Sequence, residues 1–251
     1  MVDNTSFLDN AIKKIKSGWS IDDLIRKLIT LSDSIEKAEN TLFEQVGDIY
    51  FLYYPEAGNM LKERDKFINS VETGADRGNI ANNLGITAES MGYDLMDEDI
   101  QLISMSVNEL KNLSDLKKLV DQRLFNIVSI NYPNFSSVLG PEIASRMVYL
   151  GKKGKLLALM PSSKLQVLGA EKAMFAARRK RVTPKYGVIF NHEALVESDD
   201  AVKGKLAKIV AAYSSLAIKT DIFSKQDKSK EIKERMYEEI KKAKYGNKKN
   251  N

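Results

Sequence analysis

Two apolar stripes constrain this chain more than any other feature. The first runs Ile21, Leu24, Leu28, Leu31, Ile35, Ala38, Leu42, Val46, Ile49, Leu52, in steps of three or four residues. That near-heptad spacing keeps one narrow face of an α-helix apolar, which suits a long helix packed along a partner helix. Ser20 before Ile21-Asp22-Asp23 offers an N-cap with acids in the first turn. The run stops at Tyr53-Tyr54-Pro55, because the residue before a proline is pushed out of helix. The second stripe runs Ile100, Ile103, Val107, Leu110, Leu113, Leu116, Val120, Leu124, Ile127, from the acids Asp97-Glu98-Asp99 to Asn131-Tyr132-Pro133. The two can zip together as an antiparallel coiled coil over residues 20–131, and a pairing between chains has the same pattern. Residues 56–98 then form an irregular tip of short helical pieces punctuated by glycines, with Arg77-Gly78-Asn79 reading as a turn. Residues 1–19 read as a short opening helix.

Charge divides the chain. Residues 1–135 carry 14 Lys+Arg against 22 Asp+Glu, and residues 136–251 carry 25 against 12, giving −8 and +13 within a net +5. A basic half is a plausible polyanion contact, because neutralised phosphates release counterions. There is no cysteine and one histidine, His192. Disulfides and thiolate metal sites are excluded, and no metal-ligand spacing or nucleophile–base pair is found. An enzyme is therefore not expected, nor a cofactor. His192 reads as a loop or capping residue. No apolar run approaches membrane-spanning length, and no membrane partner is expected.

In the basic half, residues 161–187 read PSSKLQVLGAEKAMFAARRKRVTPKYG. Ser163 and Gln166 have capping-box spacing, with Pro161 at an N-terminal turn. Gly169 breaks the helix, so a second helix begins at Ala170-Glu171. In it Lys172, Ala176 and Arg179 share one face, while Met174 and Ala177 pack elsewhere. Arg178, Arg179, Lys180 and Arg181 form the best phosphate candidate, or a solvated face. Phe175 is either a core residue or a platform for a base, and Tyr186, after the Thr183-Pro184 turn, a core tyrosine or a contact. Upstream, Gly151-Lys152-Lys153-Gly154-Lys155 is a weak phosphate signal without the Gly-Lys-Ser/Thr of a Walker loop. Val188-Ile189-Phe190 fits a strand or a helical turn equally. Beyond Ser224 only Ile232, Met236 and Ile240 offer a thin stripe, and 246–251 read as a disordered tail.

The residues Gly169-Ala170-Glu171-Lys172-Ala173-Met174-Phe175 and Thr183-Pro184-Lys185-Tyr186-Gly187 closely resemble the Nop domain of box C/D RNA–protein scaffolds and their spliceosomal relative. Tyr132-Pro133-Asn134, Pro161-Ser162-Ser163, Tyr53-Tyr54-Pro55-Glu56 and Glu89-Ser90-Met91-Gly92 extend the likeness across residues 20–225. Two positions depart from it: Ala176 stands where the family usually has a basic residue, and Lys164 where it usually has Thr. The resemblance implies an all-α fold, a long antiparallel helical coiled coil followed by a compact helical Nop domain at 132–225; beyond it the Lys/Glu-rich composition reads as a charged helix and tail at 226–251. It implies a scaffold that recognises a kink-turn RNA already bound by a small, ribosomal-type kink-turn-binding protein, and that self-associates through the coiled coil. RNA contact is expected from Ser162, Ser163, Lys164, Gln166, Lys172, Arg178, Arg179, Lys180, Arg181 and Lys185. Contact with the small protein is expected from Gly169, Ala170, Glu171, Phe175 and Tyr186, the bland alternative for Glu171 being an exposed helix-start acid. The coiled coil starts near residue 20, so the family's N-terminal fibrillarin-holding domain is expected to be missing and fibrillarin to be a doubtful partner. A coiled-coil adaptor binding only proteins, or a Nop-domain paralogue uncoupled from methylation, are the alternatives. The expected location is cytoplasmic in an archaeal setting, nuclear or nucleolar in a eukaryotic one.

Overall fold

The computed structural model describes residues 9, 12–16, 18–180 and 184–248. The described residues hold helices and no strand. The ambiguous run at 188 is accordingly helical, a 3-10 turn over Val188–Asn191. Of the expected opening helix, residues 12–16 are helical. Thr30–Asp121 forms one compact unit, and the segments flanking it in sequence form the other. Helices α1 (Ile21–Tyr53) and α4 (Asp97–Asn131) contribute to both.

Within Thr30–Asp121, α1 and α4 run antiparallel: Ser32 Oγ donates to Asp121 at 2.7 Å, and Lys117 pairs with Glu36 at 3.7 Å. Their ends enclose α2 (Arg64–Glu72) and α3 (Arg77–Leu84). Tyr50, Tyr54, Leu61, Phe67 and Ile80 are fully buried with Val107 and Leu110 of α4 in one cluster. Tyr50 and Phe67 meet edge to face at 5.5 Å, the arrangement their ring quadrupoles favour.

The second apolar stripe lies where the sequence places it: Ile103, Val107, Leu110, Val120, Leu124 and Ile127 are buried, with Leu116 exposed. The first does not. Ile21, Leu24, Leu31, Ala38, Ile49 and Leu52 are exposed, and of that stripe only Ile35 and Val46 are buried. The buried line is instead Asp22, Ile25, Ile29, Ser32, Ile35, Glu39, Val46, Tyr50 and Tyr53. Three of its members are polar, and a purely apolar template passes over them.

Arg77-Gly78-Asn79 also departs from expectation. It is the first turn of α3, started by Asp76, whose carboxylate accepts from the Asn79 N–H at 3.0 Å. The Arg77 guanidinium donates to the carbonyls of Tyr53 (2.7 Å), Gly92 and Tyr93 (both 3.1 Å) and pairs with Asp94 at 2.7 Å. It also sits 4.3 Å over the Tyr53 ring. One planar fork thus satisfies the orphan carbonyl at the end of α1 and ties down the approach to α4.

The other unit is a helical cluster around α11 (Asp200–Lys219). Packed against it are α5 (Pro133–Leu139), α7 (Gly154–Ala158), α8 (Ser162–Gln166) and α12 (Ser229–Lys248), while α6 (Pro141–Gly151) lies against α5 and α7. The buried face of α11 is mostly small: Ala207, Ala211, Ser214, Ser215 and Ala217 beside Leu206, Val210 and Ile218. Small side chains let neighbouring backbones come close, and Ser214 satisfies its hydroxyl on the Val210 carbonyl. The thin stripe of α12 belongs to this core, Ile232, Met236, Ile240 and Ala243 all being buried in it. Gly246-Asn247-Lys248 continue that helix, against the expectation of a disordered tail, and 249–251 lie outside the described residues.

Two polar knots hold the unit where the long helices enter it. Asp22, buried, accepts from the Tyr132 hydroxyl and from the Gly154 N–H at 3.2 Å. The Gly/Lys loop therefore spends the N–H of Gly154 on a carboxylate, and its weak phosphate signal is not borne out at that group. Asn134, fully buried, donates to Asp221 (2.6 Å) and the Gln226 carbonyl (2.8 Å) and accepts from the Lys228 N–H (2.7 Å). Asp221 also takes the N–H groups of Asn134 and Phe135, the orphan donors at the start of α5. Burial raises the Asp221 carboxyl above the usual range, against the lowering effect of those bonds.

Candidate nucleic-acid interface

The stretch singled out by the sequence forms two short helices joined by a pinned turn. Leu165 and Leu168 are buried, and α8 packs on α11, so the central helix fixes where the stretch begins. Burying one leucine contributes roughly 1.5–3 kcal/mol. The expected capping box at Ser163 and Gln166 does not form: the N-cap position is Pro161, with no side-chain cap. Gln166 reaches elsewhere, its amide donating to the Lys185 carbonyl at 2.7 Å. Beside it the Gly187 N–H donates to the Gln166 carbonyl (2.8 Å) and the Val188 N–H to the Leu168 carbonyl (2.9 Å). These three bonds form a clip between the end of α8 and residues 185–188.

The clip works only with glycine at two positions. A Cβ on Gly187 would lie 1.9 Å from the Leu168 carbonyl oxygen, and Gly169 turns the chain at φ +91°, in the left-handed region. Out of that turn α9 (Glu171–Lys180) emerges, and the Glu171 carboxylate accepts from the Gly169 N–H at 3.0 Å. Glu171 is thus an exposed helix-start acid, as the bland reading has it, tying the turn at Gly169 to the start of α9 and favourably placed at the positive end of the dipole.

Beyond the clip the side chains face solvent. Ser163, Lys164, Lys172, Lys185 and Gly169 are exposed; Ser162, Gln166, Ala170 and Tyr186 are half-buried. Phe175 is 67% exposed and Met174 40%. Core packing is therefore wrong for both, since α9 stands off the body and buries no side chain among residues 171–175. Together with Val167, Leu168, Lys164 and Glu171 they line a groove of about 300 Å³. The backbone of Arg178, Arg179 and Lys180 continues α9 to its end, and the side chains of that basic block and the whole of Arg181 lie outside the described residues.

Tyr186 stacks on Phe190 with ring centroids 5.0 Å apart and planes 14° from parallel. Lys203 lies 5.4 Å over the Phe190 ring and pairs with Asp200 at 2.8 Å. The Lys203 hydrogen bond holds the Asp200 carboxyl below the usual range, with the Lys185 charge adding to it. Phe190 and Lys203 were not anticipated. The only signal for them is the aromatic–basic alternation Lys185, Tyr186, Phe190, too sparse to read without the fold. His192 caps the short helix α10 (Glu193–Val196) through Nδ1, while Nε2 meets the Val138 carbonyl at 2.9 Å, so the capping expectation holds. Among the described residues no three His, Cys, Asp or Glu side chains are placed to hold a metal ion.

This is an all-helical protein that presents ammonium groups, a small turn and exposed apolar surface on a pinned platform. The family model described as "Nop: snoRNA binding domain, fibrillarin" matches residues 31–244, and the chain belongs to that family. It is 28% identical to nucleolar protein 58 of Schizosaccharomyces pombe over 82% of this chain and 44% of that protein. It is 29% identical to an uncharacterised NOP5 family protein of Methanocaldococcus jannaschii over 80% of this chain and 52% of that protein. Mouse nucleolar protein 58 is 28% identical over 85% and 42%. The chain thus spans about half the length of the curated relatives it matches. Its fold is shared with a chain of a fibrillarin/Nop5p complex, with a TM-score of 0.56 and 20% identity over 87% of this chain and 69% of that one. The sequence reading held fibrillarin to be a doubtful partner because the coiled coil starts near residue 20. The likeness to a fibrillarin/Nop5p complex, under a family description that carries fibrillarin, overturns it.

Proposed function

We propose that this protein is the RNA-binding scaffold of a box C/D-type ribonucleoprotein, and that it docks on a kink-turn RNA already bound by a small protein. The pinned turn carries the reading. It sets Lys164, Lys172 and Lys185 out in solvent around a glycine turn where a phosphate backbone can approach, beside the exposed Phe175 and Met174. Backbone charge, shape and splayed bases are what a protein reads on RNA, since A-form grooves are closed to side chains. The ammonium groups take phosphates, and the groove beside Phe175 takes an apolar element of the small protein. Naked RNA offers only the first, so affinity rises when both are present.

The same proposal covers the rest of the assembly. The antiparallel α1–α4 pair is the family's coiled coil. The exposed line of Leu31, Ile49 and Leu52 on α1, with Leu102 and Met105 on α4, is the surface for self-association. Fibrillarin is the catalytic partner that this scaffold carries, for guided 2′-O-methylation. A mobility-shift titration tests the RNA reading: the RNA–protein binary complex is shifted at concentrations where naked RNA is not, and Lys172→Ala weakens the shift. Equal affinity for both, or indifference to Lys172→Ala, defeats it. Co-purification of fibrillarin with the tagged chain tests the second part.

A further inference from the structure

In the unit Thr30–Asp121, the segment 89–99 between α3 and α4 is fixed through its backbone and left open at its side chains. Glu56 accepts from Ser90 Oγ at 2.6 Å and from the Met91 N–H at 2.8 Å. The Tyr93 N–H donates to the Leu52 carbonyl at 2.9 Å, and the Met96 N–H to Asp99 at 3.1 Å. Arg77 holds the Gly92 and Tyr93 carbonyls, and a Cβ on Gly92 would collide with the Tyr53 carbonyl oxygen. The backbone is thus seated against the end of α1. Yet Met91 is 91% exposed, Met96 73%, Tyr93 65% and the neighbouring Leu52 60%. One exposed apolar residue needs no explanation, but four gathered by a pinned backbone make a patch.

The sequence that builds this patch carries one sign of charge. Residues 38–61, at the end of α1, hold four acids and no Lys or Arg, and residues 78–110 hold six acids and none. Arg77, the cation that pins the segment, is spent on carbonyls and on Asp94. Thr30–Asp121 as a whole carries 8 Lys+Arg against 18 Asp+Glu, giving −10. Such a field repels nucleic acid and anionic lipid and attracts a cation. Among the described residues no three acids are placed to hold a metal ion. Methionine adapts to varied partner shapes, and Met and Tyr are enriched at the centre of protein interfaces. Apolar anchors among acids therefore fit a protein segment that is apolar on one face and basic on the other.

We propose that this tip docks a Lys/Arg-rich amphipathic helix of a partner protein, its apolar face on Met91, Tyr93 and Met96 and its cations at the exposed Glu89, Asp97 and Glu98. Fluorescence anisotropy of a labelled helical Leu/Lys peptide, titrated with the full chain, tests it. Saturable binding at micromolar concentration or tighter is expected, weakening as salt rises. A Ser/Lys peptide lacks the apolar face and a Leu/Glu peptide lacks the charge, and each should bind at least about tenfold more weakly. Met91→Ser combined with Met96→Ser alters exposed side chains, so the fold is kept, and should weaken binding by about fivefold or more. Asp97→Asn with Glu98→Gln should weaken it several-fold, and self-association of the chain, read by sedimentation, should be unchanged by the methionine pair. No saturable binding, equal binding of either control peptide, or undiminished affinity in the methionine pair overturns the proposal. Loss of self-association in that pair also overturns it, because the patch then faces a second copy of this chain.

Discussion

At Gly187 the backbone runs so close to the Leu168 carbonyl that a methyl group has no room, and the neighbour in the way is itself backbone. Gly187→Ala must therefore open the clip. Overpacking of this kind costs about 1–3 kcal/mol, a fall in Tm of roughly 2–10 °C for a chain of this size. Binding to the RNA–protein complex should fall further than stability, because Lys185 leaves its place when the clip opens. Calorimetry and mobility shift on the same variant separate the two effects. His192 makes a different prediction. Burial lowers its pKa below the ordinary value of 6.5, with Lys233 lowering it further and Glu193 and the Val138 carbonyl opposing. The folded chain then binds fewer protons than the unfolded chain below pH 6.5. Its stabilising contribution is fully present above that pH and is lost as pH falls towards the lowered value. It is the only histidine, so a Tm that drops between pH 7.5 and 5.5 should become nearly flat in His192→Gln.

At the scale of elements, Arg77 shows what one side chain does for a helix end. It reaches three backbone carbonyls and a carboxylate from the first turn of α3. Arg77→Ala removes the donor from the part-buried carbonyls of Tyr53 and Gly92 and should cost about 1–3 kcal/mol. Arg77→Lys should recover little of it, because an ammonium cannot reproduce a planar fork. Urea unfolding of the two variants checks this. Elements were legible where apolar spacing alone decides them: α4 starts at Asp97 and ends at Asn131, as its acids and its Tyr-Pro stop require. The buried face of α1 was not legible, because Asp22, Ser32 and Glu39 on it are satisfied or held by partners distant in sequence. In the RNA-facing stretch the break at Gly169 was readable from glycine. The use of Gln166 was not, since its partner lies at Lys185, beyond the whole of α9.

For the whole molecule, the excess of +13 in residues 136–251 predicts a strongly salt-dependent association. Log affinity for the binary complex should fall linearly with log salt, and Lys172→Ala should lessen the slope by about one if that residue neutralises one phosphate. An unchanged slope with unchanged affinity removes Lys172 from the interface.

The chain order has a consequence for synthesis. Thr30–Asp121 is continuous, whereas the other unit is assembled from segments on both sides of it and takes Ile232, Met236 and Ile240 of α12 into its core. As the polypeptide leaves the ribosome, the inserted unit can fold as soon as α4 emerges. Asp22, Ile25 and Ile29 must wait, solvated, until Tyr132 and the helices behind it arrive. The RNA-facing stretch precedes α11 and α12, so it is displayed before the helices that seat it are made. The nascent chain thus passes through a stage in which a folded helical hairpin is followed by a basic stretch whose seat, α11, has not yet been made.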